Sequence, residues 1–220
     1  MKIDFLCSDP THPVNERLKA WIAAHIGTHD CALRRRKAEL AGGDILFLVS
    51  CTEIIDQPVR DLYGHALVLH ASDLPAGRGW SPHIWAILEG AGVITISILD
   101  AEDRVDTGAV WAKERRTVPK HALYDEINAV LFDAELALMD RAIEMIQSGQ
   151  HPVAQSERTA SYWPRRRPED SEVDPEKSIR KLFDAIRVAD PDRYPAFFRL
   201  NGHVYTIALK KVSKNDSDPD

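Results

Sequence analysis

Cysteine is scarce in this 220-residue chain. Cys7, Cys31 and Cys51 are odd in number and stand at no metal-binding spacing, which argues against a disulfide framework or a metal site and suits a reduced, cytoplasmic setting. No apolar run approaches the roughly 20 residues needed to span a bilayer, so no membrane partner is expected. No secretory leader is expected, because Met1-Lys2-Ile3-Asp4 runs straight into a strand-like segment. Nor is there an excess of positive charge. With 28 Lys+Arg against 34 Asp+Glu the formal net charge is −6, which argues against broad affinity for nucleic acid. No internal repeat is visible. What is there is ordinary for a globular protein: 44% hydrophobic and 28% charged residues, in a length that fits one domain with a small appendage. Two basic clusters, Arg34 to Lys37 and Arg165 to Arg167, stand out against the acidic background.

Short apolar strands alternate with helical patterns. Strands are expected at Ile3 to Cys7, His29 to Leu33, Asp44 to Ser50, Ala66 to Leu69 and Val93 to Leu99. Between them, Leu18, Trp21, Ile22 and Ile26 recur at helical spacing within Val14 to Ile26, and Pro82 suits the first turn of a short helix from Ser81 to Glu89. Ala109 to Lys113 and Arg116 to Val118 read as an antiparallel hairpin. A long amphipathic helix follows from Ala122 to about Gln147 and ends at Gly149. This alternation predicts an α/β fold, a Rossmann-like, mostly parallel sheet flanked by helices, over residues 1–149. Residues 150–220 form a small α+β extension: a polar extended segment to Asp174, a helix from about Pro175 to Val188, and a hairpin turning at Asn201-Gly202. Lys214 to Asp220 reads as a frayed tail. The long helix and the C-terminal hairpin are candidates for a contact between two copies.

One stretch carries chemistry. His70 closes an apolar run and meets a loop stiffened by Pro75 and Pro82 and opened by Gly77 and Gly79. A buried strand that ends in an ionisable group, followed by a restricted loop, is how open α/β sheets present a reactive side chain. A histidine followed by a plain Pro/Gly turn is about equally consistent with that segment alone. Ser8, Asp9 and His12 sit where the first strand ends, at the edge where such sheets take ligands; by composition they also suit a turn and cap.

The run His70-Ala-Ser-Asp-Leu-Pro-Ala-Gly-Arg-Gly79, then Trp80-Ser-Pro82 and Trp85, answered by Asp106-Thr-Gly108, resembles the folate-dependent formyltransferases. These act on methionyl-tRNA, glycinamide ribonucleotide or amino sugars linked to nucleotides. The resemblance is good from about Asp44 to Gln147 and weaker over the first 40 residues. Trp163 to Asp170, Val173-Asp174, Ile186-Arg187 and Tyr194-Pro195-Ala196 look like the region after the catalytic domain in nucleotide-sugar N-formyltransferases. Ser-Asp-Leu-Pro with Gly-Arg-Gly-Trp-Ser-Pro looks like the subset acting on bacterial surface amino sugars, the pseudaminic-acid type included. The resemblance implies an enzyme of lipopolysaccharide or glycan biosynthesis that moves the formyl group of 10-formyltetrahydrofolate to a nucleotide-linked amino sugar.

Such a transfer passes through a tetrahedral intermediate. A proton must leave the attacking amine, the oxyanion must be stabilised, and the departing folate nitrogen must be protonated. His70 suits the proton steps and Asp106 can orient it; a turn aspartate opening the next hairpin is the plainer reading of Asp106. The family's asparagine two residues before the histidine, an oxyanion donor, is replaced by Val68. Losing such a donor typically costs about 3 kcal/mol. Ser50 and Thr52 are the expected substitutes, although Thr52 alone reads better as a helix cap. Ser72 and Asp73 are placed near the sugar, and the pterin beside Asp106 and the loop from Ser50 to Ile55. Arg78 either contacts phosphate or braces its loop. Arg166, with its neighbours, is a diphosphate candidate with Tyr194 stacking on a base, against the plainer reading of a solvated charge run. Trp80 and Trp85 read as packing. Two alternatives stand beside this reading: a catalytically impaired folate or nucleotide-sugar binding protein, motivated by Val68, and a formyltransferase for another amine such as glycinamide ribonucleotide.

Overall fold

The structure, a computed structural model, describes residues 1–213, so the tail expected from Lys214 lies outside the described residues. Six strands form the central sheet. In chain order they are β1 (Lys2–Leu6), β2 (Asp30–Arg34), β3 (Gly43–Leu48), β4 (Tyr63–His70), β6 (Val93–Asp100) and β7 (Val110–Thr117). The two-residue β5 (Arg78–Gly79) lies apart from it. Spatial order is β2-β1-β3-β4-β6-β7. The pairs β1–β2, β1–β3 and β3–β4 are parallel; β4–β6 and β6–β7 are antiparallel. The sheet is the mostly parallel α/β sheet that the alternation predicts, with its parallel half at the N-terminal side.

Parallel strands are buried on both faces, which is why β3 and β4 are nearly continuous apolar runs. One face carries Ile3, Phe5, Ile45, Phe47, Leu67 and Leu69 against α1 (Val14–Ala24), α3 (Pro82–Leu88) and α4 (Tyr124–Gln147). From α1 come Val14, Leu18 and Trp21, one apolar stripe at helical spacing. The long α4 contributes Ile127, Leu131, Leu138 and Met139. Its start is fixed by the Glu126 carboxylate, which accepts from the Leu123 N–H at 2.8 Å. The opposite face has a smaller cluster, Leu6, Leu40, Leu46, Leu48, Ile55 and Tyr63, over which α2 (Gln57–Arg60) makes one turn.

The hairpin expected at Ala109 to Val118 is instead one strand, β7. Glu114 and Arg115 look like a turn in sequence, but β7 is the outermost strand. Its alternate residues face solvent and tolerate charge.

Residues beyond α4 return over the sheet edge. Val153 exchanges both backbone hydrogen bonds with Val110 at 2.8 Å. β8 (Tyr162–Trp163) then pairs in parallel with β5. The chain continues into α5 (Ile179–Arg187), shorter at its start than the expected Pro175, and the hairpin β9 (Ala196–Leu200) and β10 (His203–Ile207). Asn201 and Gly202 both have positive φ, as the Asn-Gly turn demands. This last part has its own small core of Val173, Leu182, Ile186 and Ala196. Among the described residues, no helix is long and apolar enough to cross a membrane.

Candidate active site

Register brings the candidates to one edge. Leu48 of β3 pairs with Leu6 of β1 and Val68 of β4, so the segments after these strands, carrying Ser8, Ser50 and His70, leave the sheet side by side. His70 is the last residue of β4 and is 7% exposed. Asp106 lies in the loop between β6 and β7, is also buried, and sits at φ 57°. That left-handed conformation is one that aspartate tolerates better than most residues. It turns the carboxylate back toward β4. Oδ1 lies 3.4 Å from His70 Nδ1, and Oδ2 accepts from the Gly79 N–H at 2.8 Å. On the other side of the ring, Nε2 lies 2.9 Å from the Gly77 carbonyl oxygen. Both ring nitrogens thus face oxygen atoms.

Two glycines make this approach feasible. Gly79 has φ 99°, and a Cβ there would overlap the Trp163 carbonyl oxygen; at Gly108 a Cβ would overlap that of Asp100. The glycines of the Arg-Gly and Thr-Gly pairs are therefore required by close backbone approach. Their loop is held from beneath as well: Ser97 Oγ donates to the Ser72 carbonyl at 2.7 Å.

The other candidates fall into separate groups. Ser8 Oγ accepts from the Thr52 N–H at 3.1 Å and lies 3.5 Å from Cys51 Sγ, so it ties two loops together. Asp9 caps Thr11 and pairs with Arg193 at 2.8 Å, and these contacts hold its carboxyl below the usual range. Half-buried His12 is pushed down to about 4 by burial and by the nearby Arg193 charge, and so is neutral at pH 7. Ser50 has φ 48°, and among the described residues neither its hydroxyl nor that of Thr52 has a hydrogen-bond partner. Asp73 is exposed and pairs with Lys113 at 2.5 Å. Val68 packs with the smaller apolar cluster and offers no polar group.

Arg78 is fully enclosed. Its guanidinium donates to Gln155 Oε1 at 2.9 Å, to both Glu157 oxygens at 3.0 and 3.2 Å, and to Tyr162 Oη at 3.3 Å. It braces the loop. Arg166 lies over Trp85, 5.4 Å from the ring centroid, and Arg165 over Trp80 at 4.6 Å, while Trp85 stacks on Trp163 at 5.5 Å. Tyr194 is 57% exposed, next to Arg193 at the β1 end of the edge.

Sequence reasoning did not single out His83 or Gln155. His83, half-buried on α3, is pushed down to about 4 by burial and by repulsion from His70 and His12. Its Nδ1 and Ser72 Oγ are buried without a partner. A cavity of about 390 Å³ opens beside the Asp106 loop, lined by Arg104, Thr107, Gly108 and Gln155.

An open α/β sheet with an enclosed His–Asp pair at its carboxyl edge sets two proton-exchanging groups where such sheets take ligands. The family described as Formyl transferase matches residues 11–143, and the chain belongs to it. A methionyl-tRNA formyltransferase from Fusobacterium nucleatum is 29% identical over 172 residues, 77% of this chain and 55% of that protein. The chain thus spans about half the length of that relative. Three solved structures share the fold. Methionyl-tRNA formyltransferase from Clostridium thermocellum superposes with a TM-score of 0.81 at 21% identity, covering 99% of this chain and 95% of that one. HypX from Aquifex aeolicus in complex with tetrahydrofolic acid gives 0.78 at 20%, covering 95% and 37%. A 4-N formyltransferase from Francisella tularensis gives 0.73 at 17%, covering 96% and 98%.

Proposed function

We propose that the protein transfers the formyl group of 10-formyltetrahydrofolate to the amine of a nucleotide-linked amino sugar. The observation that carries this reading is the enclosed pair of His70 and Asp106 at the sheet edge, 3.4 Å apart and held by Gly77 and Gly79. The amine attacks the formyl carbon, a tetrahedral intermediate forms, the bond from carbon to the folate nitrogen breaks, and a formamide leaves. One proton moves from the amine to the departing nitrogen. Once Nε2 exchanges the Gly77 carbonyl for the bound substrates, His70 takes the amine proton there and passes it to the departing folate nitrogen. Asp106 holds the ring and balances its charge. With valine at position 68, Ser50 by its register and Ser72 and His83 by their unpartnered atoms are the nearest substitutes for the absent amide. The pterin would lie beside Asp106 and the loop from Ser50 to Ile55, with contacts largely to backbone groups.

An amino sugar is favoured over tRNA by charge. A net charge of −6 repels a polyanion, whereas a diphosphate needs only a local patch such as Arg165 to Arg167 beside Trp80 and Trp85. The Fusobacterium relative motivates methionyl-tRNA as the second reading. The protein is incubated with 10-formyltetrahydrofolate and a panel of nucleotide-linked 3- and 4-amino sugars, glycinamide ribonucleotide and methionyl-tRNA, and tetrahydrofolate release is followed. Release with an amino sugar supports the proposal; release with tRNA alone replaces the acceptor. Folate binding without release for any acceptor points to an impaired transferase.

A further inference from the structure

Beyond the histidine and the carboxylate, the site depends on a side chain from the returning segment. Gln155 Nε2 donates to the Asp106 carbonyl at 2.9 Å and to the Gly108 carbonyl at 2.7 Å. Its Oε1 accepts from Arg78 Nη2 at 2.9 Å and from Nε at 3.3 Å. One amide therefore joins the loop that carries Asp106 to the loop that carries Gly77 and Gly79, the two backbone contacts of the pair. The orientation of the amide is fixed by its neighbours: guanidinium only donates, and a carbonyl oxygen only accepts. Only a side chain with a donor and an acceptor at one end bridges them. Glutamate has no donor at neutral pH, lysine no acceptor, and asparagine is one carbon short.

The rest of the segment pulls the same way. Ser161 Oγ accepts from the Gly77 N–H at 2.9 Å, and the Ser161 carbonyl accepts from the Arg78 N–H at 2.9 Å. Trp80 N–H donates to the Trp163 carbonyl at 3.3 Å. Asp106, held at positive φ, has little else to fix its backbone: the neighbouring Thr107 N–H reaches Arg104 O at 3.3 Å.

We propose that Gln155 is a positioning residue for the reaction: by clamping the Asp106 and Gly108 carbonyls to Arg78, it sets the distance between the Asp106 carboxylate, the Gly79 N–H and the His70 ring. This rests on the formyl-transfer reading, and one of its tests does not. Two variants of the full chain are compared with wild type, Gln155→Met, which keeps length and apolar stem, and Gln155→Glu, which keeps the Arg78 contact and sets a carboxylate against two carbonyl oxygens. Small displacements of reacting groups cost up to about a hundredfold. Gln155→Glu is expected to lower kcat by roughly ten- to a hundredfold and Gln155→Met by roughly tenfold, with acceptor KM within about twofold and the pH profile of kcat displaced. A purely structural role would lower the folded fraction and leave the profile of the folded enzyme in place. Independently of turnover, amide hydrogen exchange at Gly79 is expected to speed up in both variants while the strands β3 and β4 stay protected. Unchanged Gly79 exchange, or kcat within twofold of wild type in Gln155→Glu, overturns the inference. Wild type that transfers no formyl group overturns the function instead, and the exchange result still decides the role of Gln155.

Discussion

Two regions of this molecule bury polar atoms, and they do so in opposite ways. Around His70 most of the enclosed groups are paired: ring to carboxylate, carboxylate to Gly79, amide to two carbonyls, guanidinium to Gln155, Glu157 and Tyr162; Ser72 Oγ and His83 Nδ1 are the exceptions. On the buried side of α4, Glu135 is 5% exposed and its Oε2 has no partner. Burial alone pushes its carboxyl up to about 8, which leaves it largely protonated at neutral pH. Paired groups set a geometry. Orphaned ones set a dependence on protonation, because the neutral form is the one the interior accepts. Loss of a paired group should therefore be read in rate, and loss of an orphaned one in stability against pH.

The largest effect expected is on rate. If His70 carries the proton as proposed, His70→Asn should lower turnover by on the order of 10²–10⁴-fold while leaving affinity for the proposed nucleotide sugar nearly unchanged. Stopped assays with the preferred acceptor, alongside calorimetric binding, decide it; a variant with a substantial rate removes His70 from the chemistry. Asp106→Asn should fall in the same range, since it keeps shape but not charge. Next comes Gly79→Ala. Positive φ and the Trp163 carbonyl leave no room for a methyl group, so β5 and β8 must separate. Turnover should drop about tenfold or more, and proteolysis should reach the segment 150–171 sooner. Equal protease resistance in variant and wild type would show that the loop takes a methyl group without releasing the segment.

How much of this was written in the chain depends on whether the signal is local. His70 and Asp106 were legible because each sits in a short run with strong turn chemistry, and the parallel strands because a strand buried on both faces is apolar throughout. β7 was split in two because charge on an edge strand looks like a turn. Gln155 left no trace: a single amide in a polar stretch follows no period, and its partners lie some fifty and eighty positions upstream. The enclosure of Arg78 had the same origin. Its loop suggested bracing or phosphate contact, and only the returning segment supplies Glu157 and Tyr162. Val68 was legible as a departure from the family; what takes over its task was not, since an unpartnered Ser72 or His83 is a property of packing.

The orphaned groups make the smaller predictions, and their signs differ. Glu135 has a raised pKa in the folded protein, so the unfolded chain gives up that proton near 4.5 while the folded one keeps it to about 8. Its contribution is fully present below 4.5 and is lost as pH rises toward 8. Glu135→Gln should gain on the order of 4 kcal/mol over wild type at pH 8 and little at pH 4.5, measured by urea denaturation across that range. A constant difference at all pH values would mean that the carboxyl is not buried in its neutral form. His83 works the other way. Folding lowers its pKa from 6.5 to about 4, so its contribution is present above 6.5 and is lost as pH falls toward 4. His83→Asn should blunt acid destabilisation by on the order of 3 kcal/mol, while His12, lowered to about 4 as well, costs both proteins equally. A bound acceptor that hydrogen-bonds His83 Nδ1 would pair the orphan, so saturating nucleotide sugar should shrink the difference between wild type and His83→Asn in that acid range. If ligand leaves the difference untouched, His83 belongs with Glu135 as a cost of packing, outside the ligand-facing edge.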